Sequence, residues 1–206
     1  MSGIMEYNGG TCIAMRGKDA VCIASDLRIG EQMLTVDRKV GKVHKLTDRI
    51  YVGLAGLYSD SCTVLERLRF RQELFELNES RDMKPKIAAT MLSNLLYAHR
   101  FGPYFINPIV AGLHPVTNEP EIYGMDLIGC VSNPRDFVVV GTAEEEMFAT
   151  AEGYWRENMT AEELFEATSQ SLLGGLERNA GSGWGAVVYT ITKEKVSAAT
   201  LKSRMD

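Results

Sequence analysis

The stretch from Asn8 to Asp26, NGGTCIAMRGKDAVCIASD, constrains the fold of this chain more than any other. Two apolar runs, residues 11–15 and 20–25, flank Arg16-Gly17-Lys18-Asp19, whose glycine and charges mark a tight reversal. The pattern predicts a β-hairpin buried on both faces and ending in the carboxylate of Asp26. The rest of the chain must then supply the surfaces that cover it.

With 206 residues and 22.8 kDa the chain suits one domain, residues 1–206. A domain of this size buries roughly 70% of its unfolded surface and needs no disulfide staple. Cys12, Cys22, Cys62 and Cys130 form no CxxC pair and mostly sit in apolar runs. They read as reduced, buried thiols of an intracellular protein, with no metal site. The first ten residues lack a basic start and an apolar run, and no stretch approaches the length of a membrane span. The expected location is therefore cytoplasmic and nuclear, with no membrane partner. Net charge is −5 and the basic residues are dispersed, which weighs against nucleic acid. Arg67, Arg69 and Arg71 are interleaved with Glu66, Glu73 and Glu76, a solvated helix face.

Downstream of the hairpin, residues 27–30 read as a turn, 33–36 as a short strand, and 42–46 with 50–54 as a second hairpin closed at Thr47-Asp48. Ser59 and Asp60 are good N-cap residues for a helix to about residue 78, with Val64, Leu65, Leu68, Phe75 and Leu74 as its inward candidates. Pro85 opens a second helix through about residue 99, carrying Ile87, Met91, Leu92, Leu95 and Leu96. Strands return at 106–113, 121–126 and 136–140. Thr142-Ala-Glu-Glu and Thr160-Ala-Glu-Glu match the capping box and predict two more helices, the second to about residue 178. Strands 186–192 and 196–201 close the chain. Helices in pairs between groups of strands predict an α+β fold, two largely antiparallel sheets with a helical layer on each outer face.

Asp26 and Lys42 stand sixteen residues apart, and sixteen residues before Asp26 stands Gly10. In this spacing the chain resembles the β subunits of the proteasome core particle, which are N-terminal nucleophile hydrolases. Further matches are Tyr7-Asn8-Gly9-Gly10, residues 100–104, residues 126–130, Gly183-Trp184-Gly185 and residues 201–206, so the likeness spans essentially the whole chain. The resemblance implies the four-layer αββα sandwich. It also implies that an N-terminal Thr attacks the peptide, its α-amine serving as base, while Lys depresses that amine's pKa and Asp holds the Lys. Gly10 occupies the nucleophile position and has no hydroxyl. Asp26, Lys42 and Ser182 match the family pattern, and Gly56 matches its oxyanion-hole glycine. Thr142 stands where relatives carry Ser, and Asn179 where they carry Asp.

A constellation without its nucleophile reads as inherited scaffold, with Asp26 and Lys42 a buried ion pair. Thr11 is the rival nucleophile, reached by cleavage of the Gly10–Thr11 bond in an active threonine peptidase. From Thr11, however, Asp26 and Lys42 lie fifteen and thirty-one residues away, and a one-residue slip turns its hydroxyl to the other strand face. Residues 1–9 are accordingly expected to stay attached as a short leader over the dead site, with residues 1–6 alternatively a frayed end. The resemblance implies a non-catalytic subunit of the 20S particle in ubiquitin-dependent protein degradation, with no cofactor. Its implied partners are other β subunits in a seven-membered ring, an α ring and the opposite β ring. It also implies that Asp126 and Cys130 line a substrate pocket shared with the adjacent trypsin-like β subunit. Without the resemblance, Asp126 reads as capping its own turn and Cys130 as filling core space.

Overall fold

The computed structural model describes residues 3–205. The expectation for residues 1 and 2 of the leader lies outside the described residues. The opening hairpin forms as β1 (Thr11–Arg16) and β2 (Ala20–Asp26), with Met15 opposite Cys22 and Cys12 opposite Ser25. Both strands are central. β1 pairs on its other side with residues 137–141, and β2 with residues 186–192. Buried above and below, they carry near-continuous apolar sequence instead of alternation.

The chain then runs through β3 (Ile29–Glu31), β4 (Leu34–Asp37), β5 (Val43–Lys45), β6 (Ile50–Gly56), α1 (Tyr58–Glu79) and α2 (Pro85–Tyr97). It continues through β7 (Ile106–Leu113), β8 (Pro120–Met125), β9 (Val131–Ser132), β10 (Phe137–Gly141), α3 (Glu144–Tyr154), α4 (Ala161–Leu176), β11 (Ala186–Thr192) and β12 (Val196–Leu201). One antiparallel sheet has the order β10-β1-β2-β11-β12 and the other β5-β6-β7-β8-β9, with β3-β4 a separate ribbon.

Alternation along the central strands builds the layers. Ile13 and Met15 of β1, with Ala20, Cys22 and Ala24 of β2, pack with Met147, Leu164 and Leu172 of α3 and α4. Cys12 and Ala14, with Val21 and Ile23, face Ile109, Ala111 and Tyr51 of the second sheet. The outer face of that sheet, with Val52, Leu54 and Val110, meets Val64 and Leu68 of α1 and Leu92 and Leu96 of α2. This is the expected αββα arrangement.

Several local expectations are corrected. The predicted turn at 27–30 is partly strand, because Ile29–Glu31 pairs with Leu34–Asp37 and Gly30 N–H donates to Asn8 O at 2.9 Å. α1 starts after Leu57, and Asp60 leaves the cap to accept from Phe105 N–H at 2.8 Å, tying the helix start to the entry of β7. Leu74 is 46% exposed and Phe75 only packs at the core edge. α2 ends at Tyr97, and the His99 ring instead packs on Tyr104 with centroids 4.7 Å apart. Thr142 caps nothing, since Ala143 is the N-cap of α3 and makes no side-chain cap bond. Thr160 does form the full capping box with Glu163, and α4 stops two residues short of Arg178. β9, two residues long, had no readable signal. Among the thiols, Cys12 and Cys22 are buried but Cys62 and Cys130 are exposed.

Candidate functional site

β2 ends at Asp26, whose carboxylate lies wholly inside the protein. Oδ1 meets Lys42 Nζ at 2.8 Å and accepts from Thr11 N–H at 3.0 Å. Oδ2 accepts from Arg28 N–H at 3.2 Å and Gly183 N–H at 3.0 Å. Lys42, also buried, points Nζ at the carbonyls of Arg28 (2.7 Å), Asp26 and Val40 (each 3.3 Å). The ammonium is thus held by one carboxylate and three carbonyls, an arrangement that satisfies its charge and fixes its position.

Gly10 sits directly against this lysine. Its N–H donates to Gly181 O at 3.1 Å, and its carbonyl accepts from Thr142 N–H at 3.1 Å, so the residue is pinned between two loops. Its φ is +104°, where an L side chain is strained. A Cβ added there would overlap Lys42 Cε. The volume that a nucleophile's side chain would need is taken up by the lysine stem.

Thr142, Asn179 and Ser182 form a second cluster. Asn179 Nδ2 donates to Thr142 O at 2.7 Å, while its Oδ1 accepts from Gly181 N–H at 2.8 Å and Ser182 Oγ at 3.1 Å. A carboxylate could not make the first of these bonds, since Thr142 O offers only lone pairs. Asn179 therefore closes the loop that holds Gly10. The two clusters share the 181–183 backbone, so Gly10, Asp26, Lys42, Thr142, Asn179 and Ser182 are brought together. Gly56, at the end of β6, has φ +119° and lies over Phe105 O, where a Cβ would collide.

Thr11 is fully buried with its hydroxyl turned elsewhere. Oγ1 accepts from Ala143 N–H at 3.1 Å and lies 3.4 Å from Thr142 Oγ1. The neighbouring Cys12 thiol is pushed up to about 12 by burial, against a smaller opposing pull from Lys42, so it remains protonated.

Asp126 and Cys130 lie apart from this cluster. Asp126 Oδ1 accepts from Ile128 N–H at 3.0 Å and Cys130 N–H at 2.8 Å, so the carboxylate does cap its own turn. Ser93 Oγ donates to Gly129 O at 2.6 Å and pins that turn to α2. Both residues are exposed, which corrects the alternative that Cys130 fills core space. They line a cavity of about 410 Å³ with Asp136, Glu144 and Glu152. Burial, and secondarily Glu145, raises the pKa of Glu144 above the usual carboxylate range.

Reading by motif missed Arg28. Arg28 is 2% exposed, and its guanidinium donates to Gly181 O, Gln32 O and Thr35 Oγ1. A Cβ at Gly30 would overlap it, and that adjacent glycine was the available signal. Asn8 Nδ2 donates to Gly30 O while its Oδ1 accepts from Tyr58 N–H, and Gln32 N–H donates to Tyr7 O. Residues 4–6 form a 3₁₀ turn, so the segment from Ile4 onward is laced to the β3-β4 ribbon. Among the described residues no cluster of His, Cys, Asp and Glu could hold a metal ion, and no helix is long and apolar enough to cross a membrane.

An αββα sandwich whose first hairpin ends in an Asp buried against a Lys from the segment before β5 has the architecture of the N-terminal nucleophile hydrolase class of fold. The family model described as proteasome subunit matches residues 6–191. The chain is 61% identical to proteasome subunit beta type-3 of Caenorhabditis elegans over 203 residues, spanning 98% of this chain and 99% of that one. It is 50% identical to the Drosophila melanogaster protein of the same name, over 203 residues and the same shares. Against that of Saccharomyces cerevisiae it is 43% identical over 206 residues, the whole of both chains. The chain belongs to the proteasome subunit family, and its similarity runs to the beta type-3 subunits along their full length.

Proposed function

We propose that this chain is a non-catalytic β subunit of the proteasome core particle, building the inner ring without cutting peptide bonds. The observation that carries this reading is the glycine at the nucleophile position with the Lys42 stem packed into the space beside it. Without a hydroxyl at residue 10 nothing attacks the Gly9–Gly10 carbonyl, so the preceding segment stays attached. Its bonds to β3 and to Gln32 beside it support the same reading. In particles treated with an epoxyketone or β-lactone, intact-mass determination should find this chain unmodified and still carrying residues before Gly10. An adduct on Thr11, or a chain beginning there, would refute the reading.

The subunit takes its place in a ring of seven β subunits, stacked on a second β ring and capped by an α ring, in cytoplasm and nucleus. It contributes Asp126 and Cys130 to the substrate pocket of a trypsin-like neighbour. The support is electrostatic: Asp126, Asp136, Glu144 and Glu152 line one cavity that has no Lys, Arg or His in its wall. Such a wall attracts basic side chains. Asp126→Asn in assembled particles should slow trypsin-like cleavage of peptides with an additional Arg near the scissile bond more than peptides with an uncharged residue there. Equal rates before and after the change, for both peptides, would exclude the role.

A further inference from the structure

Among the described residues the charge of Arg28 has no carboxylate partner. Its three side-chain bonds go to neutral oxygens, and among the described residues no carboxylate lies within ion-pair distance of the guanidinium. The nearby Asp26 carboxylate is spent on Lys42 and three backbone N–H groups, one of them that of Arg28 itself. Two buried cations thus share one buried anion. A buried guanidinium has five N–H donors, and a lasting site for one supplies an anion or a wet opening.

The opening exists. Arg28 lines a cleft of about 550 Å³ between the β3-β4 ribbon, the 177–184 loop and the chain's last residues. Arg178 lines it too, with Glu177 the one acid among the described lining residues, in a chain of net charge −5. Its rim carries Met33, 78% exposed, and Trp184, a non-glycine residue held at φ +62° with Arg38 stacked on its ring at 4.5 Å. Left-handed backbone at a bulky residue is uncommon and marks positions where surrounding structure enforces a shape.

We propose that this cleft receives an acidic segment of a neighbouring proteasome subunit, its carboxylate directed at Arg28 and Arg178 and an adjoining apolar side chain against Met33. The charge pattern favours this occupant: the cavity beside Asp126 is lined by acids, so these two openings select opposite partners. The proposal rests on the family reading, that the chain assembles with other subunits.

The test uses assembled particles. Cells expressing tagged wild-type and variant chains together report relative incorporation, and a photo-crosslinking residue at Met33 reports what occupies the cleft. Arg178→Glu should enter particles at no more than one third of the wild-type level. Arg178→Lys should restore entry, and the crosslink should map to an Asp- or Glu-containing stretch of a different subunit. Replacing that acid by Arg should recover the Arg178→Glu chain. Equal incorporation of Arg178→Glu, equal loss with Arg178→Lys, or a crosslink to a segment without acids, to substrate polypeptide or to nothing would overturn the proposal. Absence of the wild-type chain from particles would instead overturn the reading that the chain assembles with other subunits.

Discussion

Lys42 shows how one residue's meaning changes with its neighbour. In a catalytic relative a lysine here stands beside an amine and tunes it, whereas here its stem fills the space over Gly10 and its ammonium is spent on Asp26 and three carbonyls. Lys42→Met should therefore act on stability. It removes the cation while Asp26 stays buried, which costs about 3–5 kcal/mol when a buried pair is broken. Three backbone N–H donors remain on that carboxylate, so the loss should fall at the lower end. Urea unfolding measures it, and adding Asp26→Asn should recover a substantial part. Additive losses from the two changes would show that the pair is not coupled.

At the scale of elements, two nearly identical motifs behave differently. Thr160-Ala-Glu-Glu and Thr142-Ala-Glu-Glu share the capping-box pattern, yet only the first caps. Thr142 is drawn off because it sits where β10 turns toward α3, beside Thr11 and under Asn179, and its N–H and carbonyl both hold the Gly10 loop. Thr160→Ala should thus cost about 1 kcal/mol through loss of the α4 cap. Thr142→Ala should leave the start of α3 intact, and hydrogen exchange of the first-turn amides distinguishes the two. Faster exchange at α3 in Thr142→Ala would contradict the assignment.

At the scale of the molecule, layers stacked on layers place titratable groups between cations. His44 of β5 lies between α1 and the ion-pair site, and burial first, then Arg69 and Lys42, lower its pKa below 6.5. The folded state thus binds the proton less readily than the unfolded chain. Stability is fully present above about pH 6.5 and declines as pH falls through and below it, because the unfolded state gains the proton first. His44→Gln should flatten that part of the pH–stability curve, and a parallel curve would assign the acid sensitivity elsewhere. Cys22, pushed up to about 11 by burial, and Cys12 contribute nothing in that range.

Much of the fold could be read without coordinates. The strands β1, β2, β7, β11 and β12 appeared within a residue of their bounds, the first three because strands buried on both faces leave continuous apolar sequence. Pairing of helices fixed the layer order, and the resemblance to the proteasome β subunits, carried by their spacing, brought Gly10, Asp26 and Lys42 into one frame. Position along the chain could not say where a side chain spends its bonds. Asp60 and Thr142 carried helix-cap signals but found partners 45 and 131 residues away, in Phe105 and Thr11. Arg28, read as part of a turn, became the largest fully buried side chain only because Gly30 and the distant 181 carbonyl leave it room and an acceptor. Local propensity is decided by neighbours in sequence, and the sequence therefore determined the elements and the glycine at position 10. Burial, charge compensation and loop closure are decided by neighbours in space, and only the tertiary structure settled them.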